Sequence, residues 1–149
     1  MRSCKYLILL LALLVAFGCK KDRKEEPIND FTTQALTNGN WRSVLNDSNP
    51  ATNPKAPNTL YWAVPGCRQD DLLTFAANGE LLTANNNSIC TEDEPPVKQV
   101  YAFDAANKKL TINGSSFDVL ELSTTRLKLS RTIPAATGFG YLVYVYEHP

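Results

Sequence analysis

Residues 126–130 read Arg-Leu-Lys-Leu-Ser, with polar and apolar side chains in strict alternation. Successive side chains of an extended strand point to opposite faces, so Leu127 and Leu129 share one face while Arg126, Lys128 and Ser130 share the other. This pattern predicts a strand with one buried and one solvated side, the kind found in an antiparallel sheet over a single core. Segments that read as strands recur along the chain, at 41–45, 71–76, 80–84, 97–103, 109–113, 116–122, 125–132 and 139–147. Asn78-Gly79 and Asn113-Gly114 supply residues that tolerate positive φ, as tight hairpins require. Residues 104–108 and Ser123-Thr124 mark two further turns, and no helix of crossover length separates the strands. About eight antiparallel strands in meander order predict an all-β up-and-down barrel, because closure removes the exposed edges.

The remaining segments are less regular. Residues 28–36 have a weak helical look, ended by Asn38-Gly39-Asn40. Residues 46–58 and 85–96 are rich in Asn, Pro, Asp and Ser and read as long loops. Residues 60–64 read as a short strand or an ordered loop. Residues 133–138, with Pro134 and Gly138, lead into the last strand.

The chain opens with the basic Arg2 and Lys5, and residues 6–17 are almost wholly apolar, the layout of a secretory signal. The run is shorter than the roughly 20 apolar residues a bilayer span needs. Gly18 and Cys19 follow directly, and this junction resembles the lipobox of bacterial lipoproteins. The resemblance implies that residues 1–18 are removed and that Cys19 carries lipid. Each buried lipid methylene contributes about 0.8 kcal/mol, so two or three acyl chains make attachment effectively permanent. Residues 20–27 (Lys-Lys-Asp-Arg-Lys-Glu-Glu-Pro) have little apolar surface to bury and predict a solvated tether over 19–27. Their charge mix also resembles the export tag of some surface-exposed lipoproteins. The expectation is one domain at 28–149, hung from the outer membrane of a diderm bacterium and facing the periplasm or the exterior.

The whole chain carries 15 basic and 15 acidic residues. Loss of Arg2 and Lys5 leaves 13 against 15, so no basic field exists to attract nucleic acid. Of the 4 cysteines, Cys4 leaves with the signal and Cys19 takes lipid. Cys67 and Cys90 remain, and two cysteines in an exported domain predict a disulfide. Closing that loop contributes roughly 3 kcal/mol in the chain-entropy view. A metal pair would need further ligands, and the chain's 1 histidine, His148, lies next to the C-terminus.

Gly39-Asn40-Trp41 at the head of the first strand resembles the G-x-W element of lipocalins. Asp70-Asp71-Leu72-Leu73-Thr74-Phe75 followed by Asn78-Gly79, and the stretch 119–129, resemble parts of bacterial lipocalin-like lipoprotein domains. The likeness spans residues 36–147. It implies that Trp41 plugs the closed end of the barrel, covered through cation–π contact by Arg126 or Arg131.

Chemistry of a catalytic kind is not legible. Asp70-Asp71 and Glu92-Asp93-Glu94 lack calcium-loop spacing and read as solvated loop charge. One near-terminal histidine cannot readily serve a nucleophilic triad. The expectation is therefore a non-enzymatic protein without a cofactor or a metal. On the last strand, alternation groups Tyr144 and Tyr146 with Leu142 on one face, and Tyr141 with Phe139, Val143 and Val145 on the other. All four aromatic residues are candidates for a ligand-lining wall, core packing being the other reading. Two functions are open. In one, the barrel holds a small apolar or amphipathic ligand. In the other, a filled barrel uses its long loops, with Tyr61 and Trp62, to contact a protein or a glycan.

Overall fold

The computed structural model describes residues 29–55, 58–85, 88, 90 and 98–149. The expected signal peptide, Cys19 and the tether lie outside these residues. A short helix α1 (Thr33–Thr37) leads into β1 (Asn40–Ser43) and then β2 (Thr59–Tyr61). Seven further strands complete the chain: β3 (Leu72–Phe75), β4 (Glu80–Ala84), β5 (Lys98–Asp104), β6 (Lys109–Ile112), β7 (Ser115–Leu122), β8 (Arg126–Thr132) and β9 (Tyr141–Glu147). From β3 to β9 each strand pairs antiparallel with the next, and β1 lies between β3 and β9. The sheet therefore closes into an eight-stranded up-and-down barrel of lipocalin-like form, with β2 as an additional strand.

Local chemistry sets the ends of these elements. The Thr32 side chain caps α1 by accepting the Ala35 N–H at 3.1 Å. Gly79 turns the β3–β4 hairpin with φ +84, and a Cβ there would lie 3.3 Å from the Tyr101 carbonyl. In β7 the register shifts between Val119 and Glu121. This bulge inserts Leu120 and reverses the facing of the residues after it. Val119 and Leu122 both enter the core as a result, while Glu121 turns outward opposite Lys128.

The core fills one end of the barrel. Trp41, Phe75, Leu110, Leu122 and Leu127 are almost wholly buried there, under a cap formed by Ala35 and Leu36 of α1. Burying each such side chain contributes roughly 1.5–3 kcal/mol. The chain enters at this closed end: Asp30 N–H donates to the Leu122 carbonyl at 2.6 Å, and Asn29 Oδ1 accepts the Leu122 N–H at 3.2 Å.

β2 corrects the sequence reading, which allowed a short strand at 60–64 but no parallel partner. The strand pairs parallel with the first half of β9, Thr59 against Tyr141 and Tyr61 against Val143. The second half of β9 pairs with β1, Arg42 against Glu147 and Ser43 against Tyr146. Two strands thus share one edge of β9, and the segment between them crosses the outside of the barrel.

That crossing overturns the expected solvated face of β8. Arg126, Lys128 and Ser130 do point outward, yet all three are buried. Lys128 is fully buried, with Nζ 2.8 Å from Asp47 Oδ1 and 3.8 Å from Glu121 Oε2. The same ammonium donates to the Asn49 carbonyl at 2.5 Å and to Thr52 Oγ1 at 2.8 Å. Asp47 Oδ2 in turn accepts from the Tyr61 hydroxyl at 2.9 Å and Asn53 Nδ2 at 3.1 Å. The loop read from sequence is a strap, pinned to the outer wall by one cation.

Burial alone would push the Asp47 carboxyl up, but hydrogen bonds from Lys128, Asn49 and Tyr61 outweigh it and hold the group below its usual range. A depressed carboxylate contributes stability above its unfolded value near 3.8 and loses it as pH falls through the lower folded value. Lys128→Ala, which removes the counter-charge beside two buried carboxylates, should cost about 3–5 kcal/mol in chemical unfolding at neutral pH. That cost should shrink as the pH is taken below 4. A penalty under about 1 kcal/mol at neutral pH would show that the strap is held by other contacts.

Candidate functional site

Opposite the plugged end, the barrel interior opens into a cavity of about 710 Å³. The open end lies where β4 finishes, where β6 turns into β7 at Asn113-Gly114, and where β1 leaves the sheet. Apolar side chains form its depth: Leu73 of β3, Leu81 of β4, Ile112 of β6 and Phe117 of β7. Tyr144 and Tyr146 of β9 complete the wall. The alternation of β9 places both tyrosines inside, because Val143 and Val145 face the outer wall, where both are buried.

Three aromatic rings line one side. Trp62, just past β2, stacks on Tyr144 at 5.7 Å between centroids, and Tyr144 meets Phe117 edge-on at 5.7 Å. The strap positions Trp62, whose N–H donates to the Val143 carbonyl at 2.8 Å. Burial raises the Tyr144 phenol above its ordinary value, although the neighbouring Arg131 guanidinium acts against this. Burial, and secondarily Tyr144, raises the Tyr146 phenol much further. Both hydroxyls therefore stay protonated at neutral pH and can donate hydrogen bonds.

At the rim the residues change character. Ser43, Thr83, Asn85, Gln99, Asn113 and Ser115 are polar and uncharged, and Arg68 and Asp71 bring one charge of each sign. Cys67 and Cys90 form a disulfide with Cα atoms 5.3 Å apart, as the cysteine count predicts. It ties the 3-10 turn Gly66–Arg68, next to the rim, to the connection after β4. Among the described residues, no three His, Cys, Asp or Glu side chains come together in a way that could hold a metal ion. None of the described helices is long and apolar enough to cross a membrane.

The structure sorts the sequence candidates by strand parity. Tyr144 and Tyr146 line the cavity; Tyr141 and Phe139 do not. Tyr141 falls on the opposite face from Tyr144, and Phe139 precedes the strand. Trp62, expected on an interaction surface, is 44% exposed and also lines the cavity. Tyr61 turns outward and bonds to Asp47.

At the closed end, Trp41 is fully buried and donates its Nε1–H to the Leu36 carbonyl at 2.9 Å. Neither arginine covers it. Arg126 sits on the outer face of β8 in an ion pair with Glu147, and Arg131 lies at the far, open end beside Tyr144. The cover is His148, whose ring stacks on the indole at 4.0 Å between centroids. Its Nδ1–H donates to the Asn40 carbonyl at 2.7 Å. Gly39, at φ +99, makes room, since a Cβ there would come within 3.0 Å of the His148 ring. The sequence signal existed in the Gly-Asn-Trp triplet, but the partner lies 107 positions beyond Trp41, after the last strand.

Comparison with known proteins finds no matching family model, no similar curated protein and no similar solved structure.

His148→Ala removes this cover and should lower stability by about 1 kcal/mol beyond the lost burial. It should also shift Trp41 emission to longer wavelength, measurable in a Trp62→Phe background. Unchanged emission would mean that the indole is shielded without the histidine.

Proposed function

We propose that this protein is a non-enzymatic, lipid-anchored envelope lipoprotein whose barrel holds one small apolar or amphipathic molecule. The observation that carries the reading is the uneven filling of the barrel. One end is packed solid around Trp41, whereas the other leaves about 710 Å³ lined by leucine, isoleucine and aromatic side chains. A volume of this order suits a single drug-sized ligand. A barrel evolved only as a scaffold for loops has no need of this space, and the strap that would serve as such a loop is fastened to the barrel wall.

Entry of the chain at the closed end bears on orientation. Residues 19–29 reach at most about 35 Å when fully extended. With Cys19 in the membrane, the shortest path puts the plugged end toward the bilayer and the mouth away from it. A ligand would then exchange with the aqueous compartment or with a partner protein rather than directly with the membrane beneath.

The test uses residues 20–149, which contain every described element, exported behind a cleavable signal and purified without detergent. Native mass spectrometry should show a co-purifying small molecule. After its removal, one hydrophobic dye should bind per chain, with quenching of Trp62. Leu73→Trp, which fills the cavity, should abolish both signals. A clean apo mass with no dye binding would contradict the cavity reading and favour contacts through the surface. Separately, Cys19→Ser should abolish palmitate labelling of the full-length chain.

A further inference from the structure

One charge on the inner wall of the barrel lacks a counter-charge. Leu127, Leu129 and Arg131 share one face of β8, and both leucines belong to the core, so Arg131 points inward with them. The ladders fix its neighbours. Arg131 pairs with Leu142 of β9, and Tyr144 lies one inward step deeper, opposite Leu129. On the other side Asp118 pairs with Ser130, which brings Phe117 of β7 into line with Arg131. Phe117 and Tyr144 both line the cavity. The guanidinium thus stands near the open end among two aromatic rings and a leucine, and its charge acts on the Tyr144 hydroxyl. Its Nε is buried and has no acceptor. Among the described residues, no carboxylate forms an ion pair with it. The two charged residues of the rim, Arg68 and Asp71, are opposite in sign, and each is already engaged within the protein. Arg131 therefore gives the inner wall one positive charge in excess. A half-buried cation with an unsatisfied donor is costly unless something supplies the acceptor.

We propose that the cavity takes a single-chain organic acid, its carboxylate held by Arg131 and the Tyr144 hydroxyl and its chain laid against Leu73 and Leu81. This rests on the cavity reading above and adds the ligand's charge and head group to it. A guanidinium is a fixed fork of donors that matches the two oxygens of a carboxylate. Tyr144 stays protonated at neutral pH, so its O–H donates to the same anion instead of repelling it. In the ring of eight strands β4 stands opposite β8, so the apolar side chain of Leu81 faces the Arg131 wall across the bore, with Leu73 of β3 beside it. A head bound at β8 thus leaves its chain on apolar surface, and about 710 Å³ suits one such molecule. A cationic head would meet Arg131 as a like charge, and a neutral head would leave the guanidinium without its counter-charge.

Three probes of one chain length separate the outcomes: decanoate, n-decyl β-D-glucoside and decyltrimethylammonium, each below its critical micelle concentration. Binding to residues 20–149 is followed by calorimetry at neutral pH, with Trp62 fluorescence as a second readout. Decanoate should bind one per chain and at least tenfold tighter than either other probe. Arg131→Met, which keeps the length of the side chain and removes its charge, should weaken decanoate at least tenfold and leave the glucoside within about twofold. Tyr144→Phe should weaken decanoate less, by about threefold to tenfold. If Arg131→Met does not fold, Arg131→Lys, which keeps the charge but loses the fork, should still weaken decanoate severalfold, and the ranking of the three probes on the unaltered chain decides by itself. Equal or tighter binding of the glucoside or the ammonium probe, or decanoate binding untouched by loss of the Arg131 charge, would overturn the carboxylate assignment while leaving the cavity reading standing. No binding of any probe, together with no dye binding, would overturn both.

Discussion

Everything in this molecule depends on how β9 is shared. A meander of eight strands must close on itself or leave two hydrogen-bonding edges open. Here closure is made by a short seam in which Arg42 and Ser43 meet Glu147 and Tyr146. The rest of the same edge is completed by β2 running parallel. Because β1 stops early, the chain must leave the barrel and return to the same strand. That detour is the strap, and its return places Trp62 at the mouth.

The strap explains why the outer wall buries charge. A polar segment crossing a sheet face needs partners for its backbone and side-chain groups. Lys128 provides them in one place, joining Asp47, Asn49 and Thr52, with Glu121 across the ladder. The β7 bulge is part of the same design, since under regular alternation from Val119 the Glu121 carboxylate would face the core. Replacement of such a cluster by apolar side chains of similar volume need not destabilise the fold. What the ions add is a fixed docking position, and with it a fixed position for the mouth residues.

Much of the barrel was legible because strand parity is local. Leu127 and Leu129 announced their face, the two Asn-Gly pairs announced hairpins, and the boundaries of β4 and β6 fell within a residue of the prediction. What failed was whatever a distant segment decides. Alternation says that Lys128 faces away from Leu127 but not that a strap will cover it. The Gly-Asn-Trp triplet marks a plug but not its lid, because His148 reaches Trp41 only after the barrel has closed. For the site, parity correctly paired Tyr144 with Tyr146; choosing between that face and the one bearing Tyr141 required knowing which side was inside. The place of Trp62 in the cavity wall was not legible because nothing local shows that β2 pairs with β9.

A barrel solid at one end and open at the other results from these constraints. The shared edge of β9 is tested most directly by amide hydrogen exchange. The N–H of Val44 donates to the Val145 carbonyl at 2.9 Å, and that of Trp62 to the Val143 carbonyl at 2.8 Å. Both amides should exchange as slowly as those of the β8–β9 ladder. Exchange of either at the rate of an open loop would mean that the seam or the strap's return is not formed, and the cavity would lose the wall that defines it.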